Sequence, residues 1–194
     1  MPGVAALSGQ NARYTGLRYG ARPFAEANQH IHPLNGEPSM TTTLRTFPAT
    51  SPTISRDVVA DSGAWLAVCT KAVTLRLFEV PNPGVEDCTV LYRAKLKTEG
   101  LTGRAYLEMW CRLPGRGEFF SKGLNQTISG SNDWTSCEIP FFLKKGETPD
   151  LIRLNLAIEA VGFLFKKAAG KVWIKDVELL CQTATEQVTV MTRR

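Results

Sequence analysis

Three side chains in the segment Arg104–Leu113 (RAYLEMWCRL) are of types suited to ligand recognition: Tyr106, Glu108 and Trp110. They are spaced by two, and residues i, i+2 and i+4 of a strand share one face. Ala105, Leu107, Met109, Cys111 and Leu113 fill the alternate positions, so the segment reads as a strand with one apolar and one polar face. A second alternating segment, Leu151–Ala160 (LIRLNLAIEA), sets Arg153, Asn155 and Glu159 against Ile152, Leu154, Leu156 and Ile158. If these strands are neighbours, Tyr106, Glu108, Trp110, Arg153, Asn155 and Glu159 form one surface. An aromatic face stacks on the C–H face of a sugar ring, while carboxylate, amide and guanidinium groups satisfy its hydroxyls. The expected ligand is a carbohydrate or another polyhydroxylated molecule. The competing expectation is that Tyr106 and Trp110 are covered by the chain itself or by another subunit, which makes the face an interface.

Catalysis finds less support in the sequence. His30 and His32 are the only histidines and lie near the N-terminus; two ligands without a third are a weak metal site. The rest of the chain has no imidazole to activate a serine or cysteine. Glu108 and Glu159 are of the type that serves glycoside hydrolysis, but solvated carboxylates on a strand face are far commoner. No G-x-x-x-x-G-K-[ST] or G-x-G-x-x-G is present, so no nucleotide cofactor is implied. The chain is expected to be non-catalytic and without a cofactor.

The elements that must position this face are strands. Period-two patterns cover Trp65–Cys69, Ala72–Val80, Cys88–Lys97, Arg104–Leu113, Glu118–Lys122, Trp134–Leu143, Leu151–Ala160 and Lys171–Leu180. Between them stand turn formers such as Pro81-Asn82-Pro83-Gly84, Glu99–Gly103 and Pro114–Gly117. The last two strands, within Leu151–Leu180, form the pair against which the upstream strands pack. The series predicts an all-β fold, an antiparallel β-sandwich of the jelly-roll kind, over residues 53–183. Residues 1–52 are rich in Gly, Pro, Ser, Thr and Asn and show neither period, so they read as a disordered or loosely packed leader. Gly36-Glu37, whose codons can match a ribosome-binding site, precedes Met40 and marks that methionine as a candidate true start. Residues 184–194 read as a polar tail.

The net charge of +5 is spread rather than clustered, which argues against a nucleic-acid surface. No apolar run is long enough for a transmembrane helix, and the N-terminus lacks a secretory pattern, so a cytoplasmic location is expected. The five cysteines are widely spaced and contain no C-x-x-C pair; they read as small buried hydrophobes in a reducing compartment, with one disulfide as the alternative.

The segment Gly130–Leu143 (GSNDWTSCEIPFFL) resembles the G-[ST]-x-D-W-x-x-x-x-[IV]-P-F pattern of galactose-binding-like jelly rolls, which include the carbohydrate-binding modules of bacterial multidomain proteins. The closing segments IRLNLAIEAVG and KVWIKDVELL resemble the last two strands of those modules. The resemblance implies a jelly roll and a non-catalytic, carbohydrate-binding role. It also implies a structural calcium near Asp176, which Lys175, at a position often acidic in that family, weakens. The connection Val161–Gly170 is longer than the family's tight turn and carries Phe163, Leu164 and Phe165 beside Lys166 and Lys167. The alternative function is a structural or protein-interaction sandwich, with the aromatic face or the Phe163–Phe165 loop contacting a protein partner or a second copy of the chain.

Overall fold

The computed structural model describes residues 39–161 and 167–184. Among these residues every regular element is a strand: β1 Ser39–Phe47, β2 Val58–Asp61, β3 Ala64–Cys69, β4 Val73–Pro81, β5 Cys88–Leu113, β6 Gly117–Lys122, β7 Ile128–Leu143, β8 Leu151–Glu159 and β9 Gly170–Ala184. All pairings are antiparallel and belong to one continuous sheet.

That sheet curls into two layers through the 26-residue strand β5. The first half of β5 has β7 on one edge and β9 on the other, and β9 in turn pairs with β1 and β3. The second half has β6 on one edge and β8 on the other, with β4 beyond β8. Alternation holds through both halves. Val90, Tyr92, Ala94 and Leu96 are buried from the first, and Ala105, Leu107, Met109, Cys111 and Leu113 from the second. They meet Ile152, Leu154, Leu156 and Ile158 of β8 and Val172, Ile174, Val177 and Leu179 of β9 in one core. The five cysteines are free thiols, all buried.

The strand expected to end in a turn at Glu99–Gly103 instead continues. One neighbour spans the region: β7 still pairs through Thr98↔Asn132, Leu101↔Gly130 and Ala105↔Ile128 with shifts of register, while the other edge passes from β9, last paired at Glu99, to β8, first paired at Arg104. Gly100, at φ 59°, absorbs the irregularity as a bulge, a conformation that side chains with a Cβ resist. Just beyond, a Cβ on Gly103 would overlap the carbonyl oxygen of Glu159 and stand 2.9 Å from Ala168 Cβ. The absence of a side chain lets the bend of β5 touch the end of β8 and the approach to β9.

Two further expectations change. The two closing strands do not form a hairpin pair, because β5 lies between β8 and β9 in the strand order. Residues 39–47, inside the stretch read as a leader, form β1, which pairs with β9 from Ser39↔Ala184 to Phe47↔Val177. β1 is held by main-chain bonds on an exposed edge, with only Leu44 and Phe47 partly buried, so it leaves no period in its sequence. The short β2 joins β3 through Ser62 and Gly63, at φ 48° and 80°, the left-handed pair of a tight hairpin turn. Residues 1–38, including His30 and His32, the Phe163–Phe165 loop and residues 185–194 of the expected tail lie outside the described residues.

Gly103→Ala is expected to destabilise the domain by about 2–3 kcal/mol, the scale of core overpacking, because the opposing atom is a main-chain carbonyl. Urea unfolding of the two proteins measures this; an equal midpoint would show that the bend has room to relax.

Candidate functional site

The register of β5 against β8 places the singled-out residues in rows: Arg104↔Glu159, Tyr106↔Ala157, Glu108↔Asn155 and Trp110↔Arg153. On the free edge of β5, Lys122 stands opposite Glu108, Phe120 opposite Trp110 and Glu118 opposite Arg112. On the far edge of β8, Arg76 of β4 stands opposite Asn155. The outward face of this layer holds an open groove of about 690 Å³. Glu108 and Trp110 line it from β5, Arg153 and Asn155 from β8, Thr74 and Arg76 from β4, and Glu118 and Lys122 from β6. One end is walled by Ile54 and Ser55, whose amides bond to the Leu77 and Arg76 carbonyls along the edge of β4.

Four of the six singled-out residues therefore line the groove. Tyr106 does not: its side chain is 0% exposed, so it offers no stacking platform. Its hydroxyl donates to Glu159 Oε1 at 2.5 Å. Arg104 holds the other oxygen of Glu159, donating from Nε at 3.1 Å and Nη2 at 2.7 Å, with its Cζ 5.9 Å from the Tyr106 ring centroid. Glu159 is thus occupied within the layer and lies outside the groove lining. The Tyr106 hydroxyl, and after it the Arg104 guanidinium, hold the Glu159 carboxyl below the usual range against the opposing effect of partial burial. Burial, and then the bond to Glu159, push the Tyr106 phenol up.

Trp110 is half-buried. Its indole Nε1 donates to Glu108 Oε1 at 2.8 Å, and its ring packs at 5.0 Å from Phe120. These contacts fix the ring on the groove. Glu108, 4% exposed, also accepts from Asn155 Nδ2 at 3.0 Å and pairs with Lys122 Nζ at 3.2 Å. Arg153 meets Glu118 through two bonds, Nη2 to Oε1 at 2.8 Å and Nη1 to Oε2 at 3.0 Å. Its Nε lies 3.5 Å from Glu79, which also pairs with Arg76 at 3.2 Å. Every charged side chain lining the groove has an opposite charge beside it. Asn155 is 6% exposed, and its Oδ1 has no partner among the described residues.

The sequence reading missed Thr74, Arg76, Glu118 and Lys122. A signal for two of them was present: Pro114–Gly117 is a tight connection, and folding Glu118–Lys122 back along β5 sets Glu118, Phe120 and Lys122 on the polar face. No comparable signal joins β4 to β8, which are far apart in sequence.

Asp176 sits on the outward face of the other layer at a positive φ of 52°. Its carboxylate pairs with Lys95 Nζ at 3.0 Å. Among the described residues no three His, Cys, Asp or Glu side chains come together as a metal site would require.

No family model matches this chain. No curated protein matches it either. Solved structures similar to it include carbohydrate-binding modules. The CBM22-1 xylan-binding domain from Paenibacillus barcinonensis Xyn10C aligns with a TM-score of 0.48 at 11% identity, covering 74% of this chain and 97% of that one. A CBM4 structure aligns at 0.45 and 9% identity, covering 79% and 92%. A family 29 carbohydrate-binding module from Piromyces equi aligns at 0.40 and 11%, covering 75% and 91%.

The Tyr106–Glu159 bond carries a pH dependence. The folded pKa of Glu159 lies below its unfolded value, so its stabilisation is complete above the unfolded carboxyl range, about pH 4.3, and is lost as pH falls through the folded pKa. Tyr106→Phe is expected to lower stability by about 1 kcal/mol at pH 7 and to flatten the loss of stability between about pH 5 and pH 3. Urea unfolding across that range reads both; an unchanged acid slope would show that the bond does not shift the carboxyl.

Proposed function

We propose that this protein is a non-catalytic carbohydrate-binding module that takes a neutral glycan in the groove between β6 and β4. The observation that carries the reading is Trp110: an indole fixed by Glu108 and Phe120 yet still lining an open, polar groove. An indole held in place loses little rotamer freedom on binding and offers its face to sugar C–H groups. The surrounding charges neutralise one another in pairs, so they offer hydrogen bonds to hydroxyls without an uncompensated charge for an ionic ligand to seek. The carboxylates are engaged as hydrogen-bond acceptors: Glu108 takes donors from Trp110 and Asn155, and Glu159 from Tyr106 and Arg104. That is the arrangement of groups that hold a surface in shape, and it supports binding over hydrolysis.

A protein-interaction sandwich is the second reading. Phe142, 69% exposed on β7 beyond the groove, favours it. The two readings separate on whether a glycan is retained at all.

Affinity electrophoresis of the full chain in gels of soluble xylan, hydroxyethylcellulose and mannan is the test. At least one gel is expected to retard the protein, and calcium or a chelator should leave the retardation unchanged, because Asp176 is engaged by Lys95. Trp110→Ala should weaken retention at least about thirtyfold, the scale of a hot-spot loss, with cooperative unfolding preserved. Retention by the variant equal to that of the parent would remove Trp110 from the site. Free migration of the parent in every gel would favour the interaction reading, and sedimentation would then report self-association.

A further inference from the structure

We infer that Asn155 selects the ligand of this groove, by accepting a hydrogen bond from a free hydroxyl through Oδ1. The inference rests on the glycan-binding reading and narrows it to neutral polysaccharides that are unsubstituted at that hydroxyl. An amide has one donating and one accepting end, and its orientation follows from its partners. Here the partner is Glu108, whose carboxylate only accepts, so the Asn155 end facing it at 3.0 Å is the NH₂. Glu108 is itself held by Trp110 and Lys122, so it cannot turn to relax this choice. The accepting end of Asn155 is thereby the one that does not face Glu108, on a residue that lines the groove, and it is buried without a partner among the described residues.

A buried carbonyl oxygen without a donor is a costly feature to keep in a folded protein, and the cost is removed by whatever brings a donor. A sugar hydroxyl is such a donor, and one stacked on Trp110 would lie one row away on the same layer. An ether or ester at that position has no hydrogen to give. Arg76, the residue opposite Asn155 on β4, is tied by one exposed ion pair to Glu79 and can swing aside as the ligand enters. An acidic sugar fares worse than a neutral one. The cations of the groove already have partners, and the carboxylates of Glu108 and Glu118 would face the added negative charge. The groove therefore discriminates by the direction of one hydrogen bond and by the pairing of every cation that lines it among the described residues.

The experiment is isothermal titration of the full-length parent, Asn155→Leu and Glu108→Gln with xylohexaose, cellohexaose, mannohexaose and an oligogalacturonate of similar length. For whichever neutral hexasaccharide binds the parent, Asn155→Leu is expected to weaken it about tenfold, equivalent to about 1.4 kcal/mol, with cooperative unfolding preserved. Glu108→Gln lets the Asn155 amide take either orientation, so a loss of at least threefold is expected there, and this variant decides the question if Asn155→Leu does not fold. The oligogalacturonate should bind the parent at least tenfold more weakly than the neutral sugar. Parent-like affinity in both variants, with binding still lost in Trp110→Ala, would overturn the role of Asn155 and leave the glycan site standing; a resident water would then be the partner of Oδ1. Equal binding of the oligogalacturonate would overturn the selection against charge. Absence of binding by the parent to any of the three neutral hexasaccharides would overturn the glycan reading and this inference with it.

Discussion

The structure depends on one strand serving two layers. β5 contributes its first half to the layer with β7 and β9 and its second half to the layer with β6 and β8. A buried strand needs a neighbour on each edge to satisfy its main-chain groups, and β5 has one on both edges in both halves. The layers can face each other only if the chain bends between them without losing that pairing. Gly100 supplies the left-handed backbone and Gly103 the clearance against the Glu159 carbonyl and Ala168.

The groove is a consequence of this geometry. Its floor consists of outward residues from β5 and β8, and its sides come from β6, returned by a tight turn, and from β4 with the 54–55 segment. The ion pairs across the floor are cross-strand neighbours: Glu108 with Lys122, and Arg153 with Glu118 and Glu79. Most are partly exposed, where pairs of this kind contribute little to stability. Their larger effect is on shape and selectivity, because they hold long side chains in defined positions and leave little unpaired charge. Glu108 is the exception, being buried with three partners, and it carries the orientation of both Trp110 and Asn155.

The outward face of the opposite layer has a different character. Lys175 lies over Trp134 at 4.1 Å, and Lys97 and Lys171 approach Trp173 at 5.8 and 5.9 Å. Trp173 donates to Asp61 at 2.7 Å. Trp134 and Trp173 are engaged by lysines where Trp110 is engaged by Glu108 and Phe120. Aromatic residues occur on both faces, and the position of their partners sets them apart.

The sequence by itself determined the strands that bury one face. Period two in Cys88–Lys97, Arg104–Leu113 and Leu151–Ala160 named the core residues correctly, because burial on one side of a pleat forces alternation. It also determined that Glu108, Trp110, Arg153 and Asn155 share a face once β5 and β8 are neighbours. It did not show β1, whose threonines are exposed on both sides and whose place is secured by main-chain bonds that any side chains permit. Only the tertiary structure decided that β5 runs on through Glu99–Gly103, that β8 and β9 are separated by it, and that Tyr106 is buried while Trp110 is not. The reason is that period two assigns a side chain to a face and says nothing of what lies over that face. Tyr106 and Trp110 are equivalent by spacing, and they differ only in the neighbours that register and curvature bring to each.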